Sequence, residues 1–317
     1  MLMLKMLPLD FHGIVARTYF SYKQSFAALN SGRKMEATYR LIISCPDRVG
    51  IVAKVGQFVA SHGGWIVEAN HYADPISGWF FMRHCIKASS LPFGIEVLRE
   101  QFAAIAAEFE MDWAISDSDV PKKVVLLASK DSHCLVDLLY RWHSGELKCD
   151  IPCVISNHQD LRSLVEWHGI PFFHVPMDKN NKQHHFQRVS ALIAEHQADA
   201  VVLARYMQIL PADVCAQYEG RIINIHHSFL PSFAGAKPYH QAAQRGVKLI
   251  GATCHYVTQD LDAGPIIDQD VMRISHRDSV EDMVRQGKDV EKMVLSRGVR
   301  LHLEDRVLRH GNKTIVF

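Results

Sequence analysis

Three polar residues in two separate segments have the types needed to break an acyl bond. Asn224 and His226 lie two positions apart after the apolar pair Ile222-Ile223, and Asp262 lies in the turn-like segment Leu261-Asp-Ala-Gly-Pro265. Since residues i and i+2 of a strand point to the same face, the amide and the imidazole can enter one site together. Both can donate to an oxyanion, while a carboxylate can hold or deprotonate water. In an Asn-x-His pattern by itself, the asparagine more often forms a turn and the histidine is more often a hydrogen-bonded structural residue. The pattern therefore indicates a catalytic site only in combination with the other segments.

A metal centre is an alternative for a chain with 19 histidines. The adjacent pairs His184-His185 and His226-His227 do not converge easily, because neighbouring side chains on a strand point to opposite faces. The spacings H-E-x-x-H and C-x-x-C, which are typical of zinc sites, do not occur in the sequence. The sequence therefore predicts chemistry without a metal and without a cofactor.

Length and composition restrict the class of protein. A chain of 317 residues with 48% hydrophobic residues fits two packed domains. Its 35 basic and 34 acidic residues leave a net charge of +1, which argues against a nucleic-acid partner. The seven cysteines are scattered, which indicates reduced thiols and a cytoplasmic protein. No apolar stretch approaches the ~20 residues that span a membrane, so no membrane partner is expected.

Hydrophobic periodicity divides the chain into two folded regions. Residues 38–115 follow the order strand, helix, strand, strand, helix, strand, which is typical of a ferredoxin-like sandwich. Asp47 is predicted to cap its first helix. From Val124 onward, apolar strands alternate with helices, which predicts a Rossmann-like, mostly parallel sheet in an α/β fold. Ligands of such sheets bind at the carboxyl ends of the strands, where Asn224 lies.

The end of the chain carries three further predicted elements. Apolar residues recur at helical spacing in residues 280–285 and 290–303, which predicts helical structure in both ranges. The tail at residues 314–317 is predicted to be an edge strand.

The first region resembles an ACT domain in its opening strand and in the turn Cys45-Pro-Asp-Arg-Val-Gly-Ile51. The resemblance implies a homo-oligomer in which the sheets of ACT domains pair. It also implies that an amino-acid effector, methionine or glycine, binds at Asp47, Arg48, Val49, Gly50 and Ile51. The alternative that this domain only joins subunits stays open.

Four segments of the second region together resemble the folate-dependent formyltransferase family. They are Asn224-Ile-His226, Leu230-Pro-Ser-Phe-x-Gly235, Gly251-Ala-Thr-Cys-His-Tyr-Val257 and Leu261-Asp-x-Gly-Pro-Ile-Ile267. The resemblance implies a small-molecule folate substrate and supports catalytic roles for Asn224, His226 and Asp262. The implied folate pocket consists of Arg205, Tyr206, Met207, Gln208, Ile209, Leu210, Gly235, His255 and Asp260.

Two features favour the formyltetrahydrofolate deformylases within this family. The turn Ala128-Ser-Lys-Asp-Ser-His-Cys-Leu135 lacks the glycines with which the glycinamide ribonucleotide enzymes cradle a phosphate. An ACT-like domain in front of the catalytic region is the arrangement of the deformylases. His133 lies where the phosphate loop would be, so we hypothesise that it blocks or replaces the acceptor site.

The sequence thus predicts three regions and one reaction. Residues 1–36 are expected to be a poorly ordered N-terminal extension, residues 37–118 an ACT domain for regulation and oligomerisation, and residues 122–317 the catalytic domain. The predicted reaction is hydrolysis of 10-formyltetrahydrofolate to formate and tetrahydrofolate, which supplies formate for purine synthesis and balances the one-carbon pool. The alternative is formyl transfer to an amine such as glycinamide ribonucleotide.

Overall fold

The computed structural model describes residues 36–178, 180–232 and 238–317. The N-terminal extension predicted for residues 1–36 lies outside the described residues, except for Glu36. All seven cysteines are free thiols, as their spacing predicted. None of the helices in the described ranges combines the length and the apolar character needed to cross a membrane.

An antiparallel sheet with two helices forms the first folded region. Its elements are, in chain order, β1 (Thr38–Pro46), α1 (Ile51–Ser61), β2 (Ile66–Asp74), β3 (Trp79–Lys87), α2 (Ile95–Glu108) and β4 (Asp112–Asp117). The strand order β2-β3-β1-β4 confirms the predicted ferredoxin-like arrangement. Alternate residues of the central strands point toward the helices, so Leu41 and Met82 pack with Val55 and Phe102 in one buried core.

The first helix begins differently from the prediction. Its N-cap is Gly50, whose φ of 99° lies in the left-handed region, and no described side chain caps the helix. Glycine adopts this conformation without strain because it has no Cβ. The prediction that Asp47 caps the helix is therefore wrong. The backbone N–H of Asp47 instead donates to the carbonyl of Gly78 over 2.9 Å.

A mostly parallel sheet covered by helices forms the second region, as predicted. Its elements are, in chain order, β5 (Lys122–Ala128), α3 (His133–His143), β6 (Cys149–Asp150), β7 (Val154–Ser156), α4 (Arg162–Trp167), β8 (Phe172–His174), α5 (Lys182–Glu195), β9 (Ala200–Ala204), α6 (Ala212–Gln217), β10 (Ile222–His226), α7 (Pro238–Arg245), β11 (Leu249–Tyr256), β12 (Ile266–Arg273) and α8 (Val280–Leu303).

The order of the strands determines where a site can form. The order is β12-β11-β10-β9-β5-β7-β8, and β6 pairs with β5. The strands from β5 to β10 run parallel, whereas β11 and β12 add antiparallel pairs at one edge. The chain winds outward from β5 in both directions, which opens a crevice at the carboxyl ends of β5, β9 and β10.

Helix α8 covers both ranges predicted to be helical, 280–285 and 290–303, and is continuous through the residues between them. Ser279 and Asp282 form a capping box at its start. Gly287 lies between the two ranges, and a Cβ at this position would lie 2.0 Å from the Tyr239 hydroxyl oxygen. The glycine therefore serves close packing of the tyrosine against the helix, and it does not end the helix.

The C-terminal end of α8 is attached to the first sheet. The buried Arg83 of β3 donates to the carbonyls of Glu304 and Asp305, and Arg40 of β1 donates to that of Leu303. Cations at the end of a helix satisfy its free carbonyls and complement its dipole. Lys122 pairs with the Asp305 carboxylate at the same junction. Accordingly, residues 38–317 form one compact unit.

The chain closes with a hairpin of β13 (Val307–His310) and β14 (Lys313–Val316). The strand predicted at residues 314–317 does form, but it pairs with β13 and not with an edge of the large sheet.

Candidate active site

A cavity of about 650 Å³ lies at the carboxyl ends of β9 and β10. The site residues predicted from the sequence that line it are Arg205, Tyr206, Met207, Gln208, Ile209, Leu210, Asn224, His226, His255, Asp260 and Asp262. Gly235 was also predicted, but it lies outside the described residues. The structure thus brings together residues from two strand ends and two loops.

The pairing of β10 with β11 places Asn224 beside His255. These residues are register partners in the antiparallel pair, and a register shift follows Cys254 on the β12 side of β11. The imidazole Nδ1–H of His255 can donate to the carbonyl of Tyr256 over 2.9 Å, which leaves Nε2 as an acceptor. Asn224 Nδ2 lies 3.2 Å from this Nε2. One amide hydrogen is used in this contact, so the second remains for a ligand.

Asp262 comes from the loop after β11 and faces His226. Its Oδ2 lies 3.2 Å from His226 Nδ1, and its Oδ1 lies 3.8 Å from His255 Nε2. Two backbone features make this approach work. Asp262 has a φ of 55°, which aspartate tolerates better than most residues. Gly264 runs so close to β11 that a Cβ would lie 1.9 Å from the carbonyl oxygen of Tyr256.

The charge state of Asp262 follows from its neighbours. Burial by itself raises the pKa of this carboxyl, but the hydrogen bond from His226 and the nearby histidines hold the pKa below its usual value. Asp262 is therefore ionised near neutral pH. Burial lowers the pKa of His255, which keeps that ring neutral and suits its role as an acceptor.

One ring nitrogen of His226 is buried and has no hydrogen-bond partner among the described residues. His226 Nε2 has no hydrogen-bond partner among the described residues, although the side chain is only 5% exposed. A buried polar atom without a partner is rare and costs stability unless something satisfies it. Nδ1 of the same ring is taken by Asp262, so Nε2 is the atom that can meet a bound substrate.

The loop after β9 is held in place at two points. Ser129 Oγ accepts from the backbone N–H of Met207 over 3.1 Å and donates to Asn157 over 2.6 Å. The hydroxyl of Tyr206 lies 2.6 Å from His185 Nε2. Met207 and Ile209 themselves are 56% and 70% exposed. The loop therefore presents apolar side chains at the mouth of the cavity on a fixed backbone.

A second polar group at the inner end of the cavity was not predicted from the sequence. Glu291 of α8 is only 1% exposed, and its carboxylate accepts from Tyr239 over 2.7 Å and from His133 over 2.9 Å. Arg205 Nε lies 3.4 Å from the same carboxylate. A glutamate between Val290 and Lys292 has no distinguishing local pattern, so nothing short-range in the sequence identified it.

His133, Cys134 and Glu291 also place potential metal ligands within 4.8 Å of one another. Their chemistry fits a metal poorly. Burial, and then the charge of Glu291, raise the pKa of the Cys134 thiol well above its usual range, so it is not a thiolate. The Arg205 guanidinium next to the Glu291 carboxylate already supplies a positive charge.

The predicted effector turn lies on the surface of the first region. Val49 is fully exposed, and Arg48 forms an ion pair with Glu110 of the adjoining helix end. Ile51, however, is only 1% exposed and belongs to the apolar core. Its side chain is therefore not accessible to an effector in this conformation, and only the preceding residues of the turn are.

The family model, the related sequences and the similar solved structure all point to the same group of proteins. Residues 122–299 match the family described as formyl transferase. The formyltetrahydrofolate deformylase of Synechocystis sp. is 48% identical over 280 residues, which cover 88% of this chain and 98% of that protein. The formyltetrahydrofolate deformylase of Bacillus subtilis is 47% identical over 279 residues, with coverages of 88% and 93%. The crystal structure of a formyltetrahydrofolate deformylase from Pseudomonas syringae pv. tomato is similar with a TM-score of 0.89 and 65% identity, covering 94% of this chain and 99% of that one.

Proposed function

This chain belongs to the formyltetrahydrofolate deformylase family, as its motifs predicted, and we propose that it hydrolyses 10-formyltetrahydrofolate to formate and tetrahydrofolate. The observation that carries the proposal is the contact of His226 with Asp262 beside Asn224 in one cavity. These groups supply what hydrolysis of a formamide needs, namely oxyanion donors and a base.

The oxyanion is stabilised by two donors. Attack on the formyl carbon converts its carbonyl oxygen into an oxyanion, which accepts from the free amide hydrogen of Asn224 and from His226 Nε2. Donation from Nε2 while Nδ1 donates to Asp262 requires the imidazolium form of the ring. Each oxyanion donor of this kind is typically worth about 2.7–4 kcal/mol of barrier.

The attacking water is activated by Asp262. Oδ2 of Asp262 is engaged by His226, whereas His255 Nε2 is 3.8 Å from Oδ1, too far for a hydrogen bond. Oδ1 therefore accepts a hydrogen bond from the water and takes its proton as the new carbon–oxygen bond forms. The proton then passes to N10, the bond from N10 to the formyl carbon breaks, and formate and tetrahydrofolate leave. No step in this scheme uses a metal or a cofactor.

The folate would lie against the loop after β9. Met207, Ile209 and Leu261 offer exposed apolar surface at the mouth of the cavity, which suits the flat rings of a pterin and an aminobenzoyl group. The polar residues of the pocket, Arg205, Gln208 and Asp260, orient the substrate. His255 orients the amide of Asn224.

The wider role is proposed from the family together with the first folded region. The enzyme works in the cytoplasm, where it supplies formate for purine synthesis and balances the one-carbon pool. The ferredoxin-like region acts as an ACT domain that joins subunits through its sheet edge, and its exposed turn at residues 47–50 takes an amino-acid effector, methionine or glycine. Screening amino acids for a change in activity or melting temperature tests the effector, and sedimentation equilibrium tests the oligomer.

The central experiment measures turnover without an acceptor. Purified protein is incubated with 10-formyltetrahydrofolate, and formate is followed with formate dehydrogenase while tetrahydrofolate is quantified by chromatography. We expect many turnovers per active site and equal amounts of the two products. A protein that is silent until glycinamide ribonucleotide is added would instead be an amine formyltransferase, and the proposal would be abandoned.

A further inference from the structure

The inner end of the cavity contains a hydrogen-bonded network around Glu291, in which His133 Nδ1 and Arg205 Nε have no hydrogen-bond partner among the described residues. Tyr239 donates to Oε1 over 2.7 Å, and His133 Nε2 lies 2.9 Å from Oε2, so both carboxylate oxygens are occupied. The network is deeply buried, with Tyr239 7% and Glu291 1% exposed. Burial by itself raises the pKa of Glu291, but the hydrogen bond from His133 and the charge of Arg205 hold the pKa below its usual value. Glu291 is therefore ionised, and the Arg205 guanidinium lies beside it.

The chain is built to hold this network together. A Cβ at Gly287 would overlap the Tyr239 hydroxyl oxygen at 2.0 Å, so glycine at this position lets the tyrosine reach Glu291 one turn further along α8. His133 is the first residue of α3, and its side chain crosses to α8. Residues of α3 and α7 thus converge on one carboxylate of α8.

The basic groups at this end lie next to carboxylates. Arg205 lies 3.4 Å from Asp131 and 3.4 Å from Glu291, and Lys288 lies 3.4 Å from Asp131. A phosphate or carboxylate entering here would have to displace these internal partners. Displacement would leave the buried Glu291 carboxylate without compensation, which is strongly unfavourable.

The network adjoins the place where the formyl group reacts. The ring of His227 lies 6.0 Å from that of Tyr239 and 5.3 Å from that of His226. Tyr239, Glu291, His226 and Asp262 line the same cavity. Glu291 belongs to the wall of this cavity, and the contact with His133 holds its carboxylate in place there.

We propose that His133 and Glu291 are specificity-determining residues that close the inner end of the cavity to amine acceptors and so reserve the formyl group for water. This inference rests on the proposed hydrolysis. In both reactions the bond between N10 and the formyl carbon breaks and N10 gains a proton. The acceptor, water or amine, forms the new bond to the formyl carbon and loses that proton.

The test measures how each turnover is divided between water and an amine. The variant His133→Ala removes the contact, and Glu291→Gln keeps the volume while removing the charge. Each is incubated with 10-formyltetrahydrofolate and either glycinamide, which lacks a phosphate, or glycinamide ribonucleotide, which has one. Formate, tetrahydrofolate and the formylated amine are quantified together. Only folded, active molecules form products, so partial unfolding of a variant lowers the total amount of product without changing the ratio of formate to formylated amine.

We expect the parent protein to release formate and tetrahydrofolate one to one with either amine present. His133→Ala should release at least about a tenth more tetrahydrofolate than formate, with the difference recovered as formylated amine. Glu291→Gln should shift the ratio in the same direction, most with the phosphate-bearing amine. His143→Ala, at the exposed far end of the same helix, is the matched control and should keep the parent ratio.

Two failures are distinguishable. If the parent protein releases no formate without an acceptor, the proposed hydrolysis is wrong. If the parent hydrolyses the substrate and both variants still give one-to-one products with either amine, only the specificity role of His133 and Glu291 is overturned.

Discussion

Replacing Asp262 with asparagine is expected to remove most of the activity without disturbing the fold. Asparagine has nearly the same shape and readily adopts the left-handed conformation that the φ of 55° requires. The substitution removes the negative charge 3.2 Å from His226 Nδ1, and it removes the base for the attacking water. An asparagine amide can also donate to Nδ1, which would favour the wrong tautomer of the ring.

The magnitude follows from the geometry. The side chains of His226 and Asp262 are only 5% and 10% exposed, so solvent screens their interaction weakly. Two unit charges about 4 Å apart interact by about 4 kcal/mol at an effective dielectric constant of about 20. Each 1.36 kcal/mol changes a rate about tenfold, so loss of this term alone predicts a roughly thousandfold lower kcat. Loss of general-base catalysis, worth about 10²–10⁴-fold, acts on the same step and does not simply add.

The assay is release of formate from saturating 10-formyltetrahydrofolate, with KM determined in parallel. We expect KM to stay within about threefold, because the apolar walls that hold the folate are unchanged. Asp289→Asn is the matched control, since Asp289 is 62% exposed and pairs with Lys292 on the outside of α8. If Asp262→Asn keeps kcat within tenfold of the parent, Asp262 is neither the base nor an essential partner of His226, and the mechanism proposed above is refuted.

Three further outcomes are expected. Asn224→Ala removes one oxyanion donor and should lower kcat about 10²–10³-fold in the same assay with little change in KM. Gly287→Ala forces a Cβ against Tyr239 and should destabilise the protein by about 1–3 kcal/mol in thermal melts, whereas Gly56→Ala, a helical position with open space around it, should not. Burial lowers the pKa of His302 to about 4, and the unfolded chain binds protons there below about pH 6.5, so stability should fall as the pH drops from 6.5. The loss at this residue is about 2 kcal/mol by pH 5, and His302→Gln should flatten the pH dependence of the melting temperature accordingly.

Periodicity and short motifs were enough to predict the fold class and most of the cavity. The alternation of strands and helices is a local property, and so is the two-residue spacing that puts Asn224 and His226 on one face of β10. The motif segments also pointed to Asp262 and to the loop after β9, whose residues line the cavity. Their catalytic and binding roles stay predictions until the variants are measured.

Local patterns failed where packing between distant segments decides the structure. The helical spacing of residues 280–303 does not explain the unfavourable glycine at position 287, which in the folded protein admits Tyr239 from another segment. Asp47 had the right type for a cap, yet a left-handed Gly50 starts the helix. In both cases a local preference worth about 1 kcal/mol is smaller than what tertiary packing contributes.

The sequence by itself determined the family, the two folded regions and the set of groups that can perform acyl chemistry, because these depend on residue types and on spacings of a few positions. Only the tertiary structure decided how the groups meet. Asp262 reaches His226 because Gly264 lets its loop pass against β11, and His133 reaches Glu291 across 158 positions because α3 and α8 pack together. Contacts between residues far apart in the chain depend on how whole elements pack, and no short window of sequence contains that information.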